Sequence, residues 1–313
     1  MPHPDVEHML ALVRNNIGTK QPSNKKDMSD LRSALEQEIV RLIRYIRRIK
    51  MRARLRYIDE NPDTAAVDEF NRATRNQLMV NNNVRPCFFT GNIQETGKIV
   101  TISLNPRYTP NVTEEEQQNM TFDQWYDFCK NRFAEYSAPG DVHTVFRNLW
   151  KVIIPINDWR IENCRADLQR KLINLDWCPY YSQYFRTFEQ NGLGPRLIHW
   201  INTVWDETLA QLLNQCKPLC VFVHGRSMQT WVNEHCRDLV LIRSVRTRNN
   251  QCGLWQGTLQ DIRMFYLEHF INNANSNATL NEIGGIVRSA IKAVKGQPSA
   301  PLNRALTSQR RRD

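Results

Sequence analysis

The feature that most constrains this chain is a set of short apolar runs, each closed by a polar or basic turn. Lys98–Leu104 stops at Asn105-Pro106, and Leu172–Leu175 runs into Asp176-Trp177-Cys178-Pro179. Leu219–Val223 ends at His224-Gly225-Arg226-Ser227, and Leu239–Ile242 ends in Arg243–Asn250. Helical patterns separate them at Phe122–Tyr136, Thr144–Val152, Leu193–Asn214 and from Ser227 through Glu234. Short apolar strands alternating with helices predict a parallel sheet buried on both faces. The expected fold is therefore α/β, a three-layer α-β-α arrangement around a central, mostly parallel four-stranded sheet. Further helices are expected over Gln256–Ile271 and Leu280–Val294. Hydrophobic residues make up 41% of the 313, which excludes disorder over most of the chain.

Ahead of the α/β pattern lies a different kind of sequence. Residues 1–28 read as a loose lead-in with one short helix at Val6–Arg14, interrupted by Pro2, Pro4 and Pro22. Residues 29–84 read as a basic helical DNA-binding region, 85–297 as the α/β domain, and 298–313 as a flexible basic tail. A long helix is expected over Leu31–Ile58, with Ile39, Leu42, Ile43, Ile46, Ile49 and Met51 forming one apolar face. Positions 41–56 hold 8 Lys and Arg, and acids nearly stop after Glu38. A solvated helix normally mixes signs, so Arg44, Arg47 and Arg48 are candidates for phosphate contact. Asn61-Pro62 breaks this helix, a second is expected over Thr64–Leu78, and a linker places the main boundary near residue 85.

The chain carries 42 Lys and Arg against 32 Asp and Glu, a formal charge of +10, which points to a polyanion partner. Mean hydropathy is −0.57, and the start MPHPDVEHML has neither a basic lead nor an apolar core. The expectation is a cytoplasmic protein with no membrane association and no obligate protein partner. The 8 cysteines form no Cys-x-x-Cys pair, and no His-Glu-x-x-His occurs, so they read as reduced, packed thiols with no metal or cofactor.

In open parallel α/β sheets, ligands bind beyond the carboxyl ends of the strands. The strand ends here are all polar, aromatic or basic. No Gly-x-Gly-x-x-Gly or Gly-x-Ser-x-Gly is present, and Gly91–Lys98 has the wrong spacing and position for a phosphate loop. The strand ends offer only Asp176 as an acid, too little for a metal-dependent nuclease. What remains is a metal-free pocket with Asn105, Asp176, Tyr and Trp residues and surrounding Arg. That chemistry suits an enzyme that flips a nucleotide and hydrolyses its N-glycosidic bond.

Phe88–Asn92 with Ile99–Tyr108, Ile173–Ser182 and Pro218–Trp231 resemble, in order, the first three motif regions of the uracil-DNA glycosylase superfamily. Leu239–Asn250 stands in the place of that family's DNA-insertion loop. The resemblance implies a monofunctional DNA glycosylase that leaves an abasic site in double-stranded DNA. It is similar to the anti-phage branch that removes glucosylated hydroxymethylcytosine from phage DNA. It implies Asn105 as water positioner, Asn174 and Asp176 as base readers or pocket residues, and His224 beside the leaving base. Pro106 and one of Tyr108, Tyr180 and Tyr181 would hold the base; Arg226, Arg243, Arg246 and Arg248 would contact DNA. Asn105 stands where the family commonly has Asp, and the 244–250 loop has neither His nor Pro. A uracil- or mismatch-specific repair enzyme and a non-catalytic nucleic-acid-binding module therefore stay open as alternatives.

Overall fold

A computed structural model describes residues 25–73, 80–81, 84–104, 106, 120–136, 142–153, 161–182, 195–246, 251–268 and 277–295. The chain divides into two compact units, Met1–Leu55 and Arg56–Asp313. Helix α1 (Lys25–Glu60) begins in the first and ends in the second. At about 1.5 Å per residue it is on the order of 54 Å long. The apolar face expected of it is not a core face. Ile39, Ile43, Ile46 and Ile49 are each more than 40% exposed, whereas Met51, Leu55 and Ile58 are buried. Leu35, Ile39, Val40, Ile43, Ile46 and Ile49 thus stand at solvent, and Leu42 is half-buried.

In the second unit, α2 (Thr64–Ala73) starts at Asp63, whose Oδ1 accepts from the Ala66 amide at 3.0 Å. Strand β1 (Val80–Asn81) follows, and then β2 (Ile99–Ser103). Helix α3 (Phe122–Glu135) opens with a capping box. The Gln124 amide donates to Thr121 Oγ1 at 3.3 Å, and Gln124 Oε1 accepts from the Thr121 amide at 2.8 Å. Helices α4 (Thr144–Ile153) and α5 (Ile161–Lys171) lead into β3 (Leu172–Asp176), and β4 (Tyr181–Ser182) pairs back with β1. The single helix expected over 193–214 is α6 (Pro195–Trp200), a π-helical turn at Ile201–Trp205, and α7 (Asp206–Cys216). Lys217 ends it in a left-handed conformation, φ 43°. Strand β5 (Cys220–His224), α8 (Gln229–His235), β6 (Arg237–Arg246), β7 (Gln251–Leu259), β8 (Ile262–Leu267) and α9 (Asn277–Lys295) complete the chain.

The sheet has six strands in the order β3-β2-β5-β8-β7-β6 and is mixed. Neighbours among β3, β2, β5 and β8 pair parallel; β7 is antiparallel to both β8 and β6. Two expectations are corrected here. The four-stranded, mostly parallel sheet is a six-stranded mixed one, and the described residues 256–268 of the helix expected over Gln256–Ile271 form no helix but most of a hairpin. Its strands are joined by Gln260-Asp261, both at positive φ (49° and 64°). That is the backbone a two-residue hairpin demands, reached here without the Gly or Asn that would announce it.

Helix α5 packs on β3 and on α3, while α9 packs on α4 and β6. Gly284 permits the α9–α4 contact, because a Cβ there would lie 2.6 Å from the Val152 carbonyl oxygen. Phe222, Phe265, Leu172, Leu254 and Leu267 form one face's apolar core with Leu149, Leu168, Ile283 and Val287. No described helix is long and apolar enough to cross a membrane.

Candidate functional site

Strand order reverses at β2. From β2 the chain goes to β3 on one side, and from β5 it goes to the edge strand β6 on the other. The crevice such a reversal opens lies at the carboxyl ends of β2 and β5. Leu104 and Pro106 sit half-buried beyond β2, and Gly225, at φ 104°, turns the chain after β5 to leave Arg226 exposed.

The register aligns one polar row at this end. Thr101 pairs with Asn174 and Ser103 with Asp176, so all four side chains share a sheet face. His224, one step past the Ile102–Val223 pair, lies in the same last row. Three residues singled out separately in the sequence, Asn174, Asp176 and His224, are therefore brought to one face.

Asp176 is 3% exposed. Ser103 Oγ donates to its Oδ1 at 2.5 Å, and Asn174 Nδ2 donates to its Oδ2 at 3.3 Å. Burial pushes its carboxyl up to about 6, and the two donors pull it part of the way back. Asn174 Oδ1 in turn accepts from Thr101 at 2.8 Å and from Ser103 at 3.4 Å. The Asn174 amide is thus engaged on both sides, holding Asp176 rather than presenting a free edge to a base. Below it, the π-helical turn aims Trp205 Nε1 at the Asp176 carbonyl, 2.9 Å away.

The backbones beyond β2 and β3 stay joined. Trp177 and Cys178 amides donate to the Ser103 and Leu104 carbonyls at 2.8 Å, and the Ser182 amide donates to the Pro106 carbonyl at 3.2 Å. This fastening buries the expected stacking rings. Tyr180, 2% exposed, lies 5.3 Å from Trp200, and Tyr181 packs with Val84 and Cys87. Desolvation raises both phenols. Neither offers a ring face to a base as the chain stands. His224 is fully buried beside Phe222, and burial lowers it to about 3, so its imidazole is neutral at physiological pH.

The basic candidates are dispersed. Arg226 is exposed beside the crevice. Arg243 lies on β6, four strands from β2, or about 19 Å at the usual strand spacing. Its Nε donates to Glu282 Oε1 on α9 at 2.8 Å. Residues 239–246 therefore belong to an edge strand, not to a loop beside the pocket; the position next to β5 belongs to β8. Arg44, Arg47 and Arg48 are exposed on α1, in the other unit. Asn105, Tyr108 and Arg248, with the Arg246 side chain, lie outside the described residues.

Sequence reasoning missed Ser103, Thr101 and Cys87. The signal for the first two was present: polar residues at alternate positions in Ile-Val-Thr-Ile-Ser face alternate polar residues in Leu-Ile-Asn-Leu-Asp. Cys87 Sγ lies 3.9 Å from Thr90 Oγ1, and a hydrogen bond with Cys129 holds its thiol below the ordinary value against burial and the Asp176 charge. The other thiols follow the packing expectation: Cys216 and Cys220 are buried, and burial pushes each up to about 12. Among known proteins, the chain matches no family profile and no curated sequence.

Proposed function

We propose that the chain is a DNA N-glycosylase that hydrolyses the bond between a flipped, modified base and its sugar. Glucosylated hydroxymethylcytosine in phage DNA is the foremost substrate. The observation that carries this reading is the Asp176 carboxyl at the end of β3, buried, hydrogen-bonded by Ser103 at 2.5 Å and pushed up to about 6 by its burial. Water adding to the sugar's anomeric carbon must surrender a proton, and the departing base must accept one. A carboxyl poised near 6 can exchange protons in either direction at physiological pH. Asn174 and Thr101 act as positioning residues for it. Asn105, next but one to Ser103 in sequence, is the residue to hold the attacking water, and Arg226 the one to meet a phosphate at the crevice.

The closed packing of Asp176, Tyr180 and Tyr181 favours a second reading, a nucleic-acid-binding module without chemistry in which the exposed basic residues of α1 dominate. One experiment separates them. Unmodified, uracil-containing and glucosyl-hydroxymethylcytosine DNAs are incubated with the protein, treated with alkali and resolved on a gel. The glycosylase reading expects alkali-labile breaks in the modified DNA; their absence from all three, with DNA binding retained, supports the second reading.

A further inference from the structure

Helix α1 carries a regular apolar seam, exposed at its large side chains except Leu42, which is half-buried. Leu35, Ile39, Leu42, Ile46 and Ile49 follow one another at spacings of four, three, four and three. That is a heptad pattern, with Ile39 and Ile46 in the a positions, Leu35, Leu42 and Ile49 in d, and Ala53 in the next a. Ile39 is 48% exposed, and Leu35, Ile46 and Ile49 lie between 41% and 44%. The seam is distinct from the buried stripe of Met51, Leu55 and Ile58 on the opposite side of the same helix. A heptad seam at solvent is the face that a partner helix covers in a coiled coil.

The flanking charges say which partner fits. Glu36 and Lys50 occupy e positions; Glu38 and Arg52 occupy g positions. These four residues are arranged symmetrically about residue 44. Laid antiparallel on a second copy about that centre, Ile39 meets Ile49, Leu42 meets Ile46, and Leu35 meets Ala53, each twice. The same alignment sets Glu36 against Lys50 and Glu38 against Arg52 of the other copy, again twice each. A parallel alignment forms none of these pairs and lays the two cation-rich 41–56 segments side by side. Within one helix Glu36 pairs with Arg32 at 3.0 Å and Glu38 with Arg41, so both acids already face cations and remain open to a second one. Arg41, Arg44, Arg47 and Arg48 fall in the b, c and f positions, away from the seam.

From this seam and its charge symmetry, we propose that two copies of the chain associate through α1 as an antiparallel two-stranded coiled coil. The basic b, c and f residues of both helices then point outward as two separate stripes.

The test is the mass in solution of the full chain by light scattering and sedimentation. The expected result is twice the 36.8 kDa of one chain at micromolar concentration. Ile39→Asn with Ile46→Asn places polar groups in the seam and raises the dimer dissociation constant by about a hundredfold or more. Both positions are exposed in the single chain, so circular dichroism should show the fold intact. Orientation is read by charge reversal. Glu38→Arg weakens the dimer by about tenfold, and adding Arg52→Glu restores it. In a parallel pair the two positions lie about 21 Å apart, and no restoration follows. A monomer at tens of micromolar overturns the proposal. So does a dimer indifferent to the two Asn substitutions, or a double reversal that fails to restore. Loss of DNA binding by the Asn variants of a monomeric chain would assign the seam to nucleic acid instead.

Discussion

Ser103 donates its hydroxyl hydrogen to Asp176 across two neighbouring parallel strands, 2.5 Å between oxygens, at the last paired row of the sheet. With the Trp177 and Cys178 backbone bonds, this bond ties the end of β2 to the end of β3. Because it favours the charged carboxylate, it also opposes the burial that raises the acid. Ser103→Ala removes that opposition, so the Asp176 titration should move above about 6, read from its carboxyl carbon shift by NMR.

The same shift has a thermodynamic sign. The folded-state acid sits at about 6 and the ordinary value is 3.8. Between these values the folded chain holds a proton that the unfolded chain has lost, so Asp176's contribution to stability falls as pH rises from 4 to 6. Two units correspond to roughly 3 kcal/mol of cost at neutral pH. Asp176→Asn removes the charge while keeping one acceptor and should leave the urea midpoint at pH 7 unchanged or higher. If the chain is the proposed glycosylase, base release should fall about a hundredfold or more. A variant that stays fully active would remove Asp176 from the chemistry.

His235 shows the opposite sign. Its Nε2 lies 2.6 Å from Asp206 Oδ2, and its ring stacks on Trp231 at 4.8 Å. The hydrogen bond to Asp206 raises the imidazole above 6.5. Stability from this pair is therefore complete below the ordinary value and is lost as pH rises through the folded one. His235→Phe keeps the stacking and removes the charge. Thermal melts at pH 5.5 and 8.5 should differ less in the variant than in the parent.

Strands β2, β3 and β5 were legible because each is a short apolar run closed by turn residues, so the polar groups at their ends could be named. The β7–β8 hairpin was not. Gln251–Leu267 mixes Gly, Gln and Trp with apolar residues on a period that serves helix and strand alike, and its turn hides in Gln260-Asp261. The apolar face of α1 was legible from its spacing, but periodicity shows that a face exists and not what covers it. Asp176 and His224 were legible as strand-end polar residues. Ser103 went unseen because its meaning depends on the strand beside it.

That turn carries its own prediction. Non-glycine residues at φ 49° and 64° hold a backbone that L side chains adopt reluctantly. Gln260→Asn with Asp261→Gly supplies the residues this turn prefers and should stabilise the second unit by about 1 kcal/mol. A rise in melting temperature checks it. A fall would mean that the Gln260 or Asp261 side chain makes a contact worth more than the relieved strain.

Arg44, Arg47 and Arg48 are exposed on α1, while Arg243 is held by Glu282 at 2.8 Å. If the α1 residues track phosphates, each releases close to one counterion on binding duplex DNA. Neutralising all three to Gln should then lower the slope of log affinity against log salt by about 2 to 3. Arg243→Gln should change it by less than about 1, because that guanidinium already has a carboxylate partner and must exchange it for a phosphate. The comparison is made by fluorescence anisotropy on one duplex between about 50 and 200 mM salt, the range over which counterion release dominates the affinity. Because the α1 arginines lie away from the helix's apolar seam, their neutralisation should leave the mass in solution unchanged. An unaltered slope in the triple variant would move the DNA contact off α1, and a slope that falls only with Arg243→Gln would place it on the sheet edge instead.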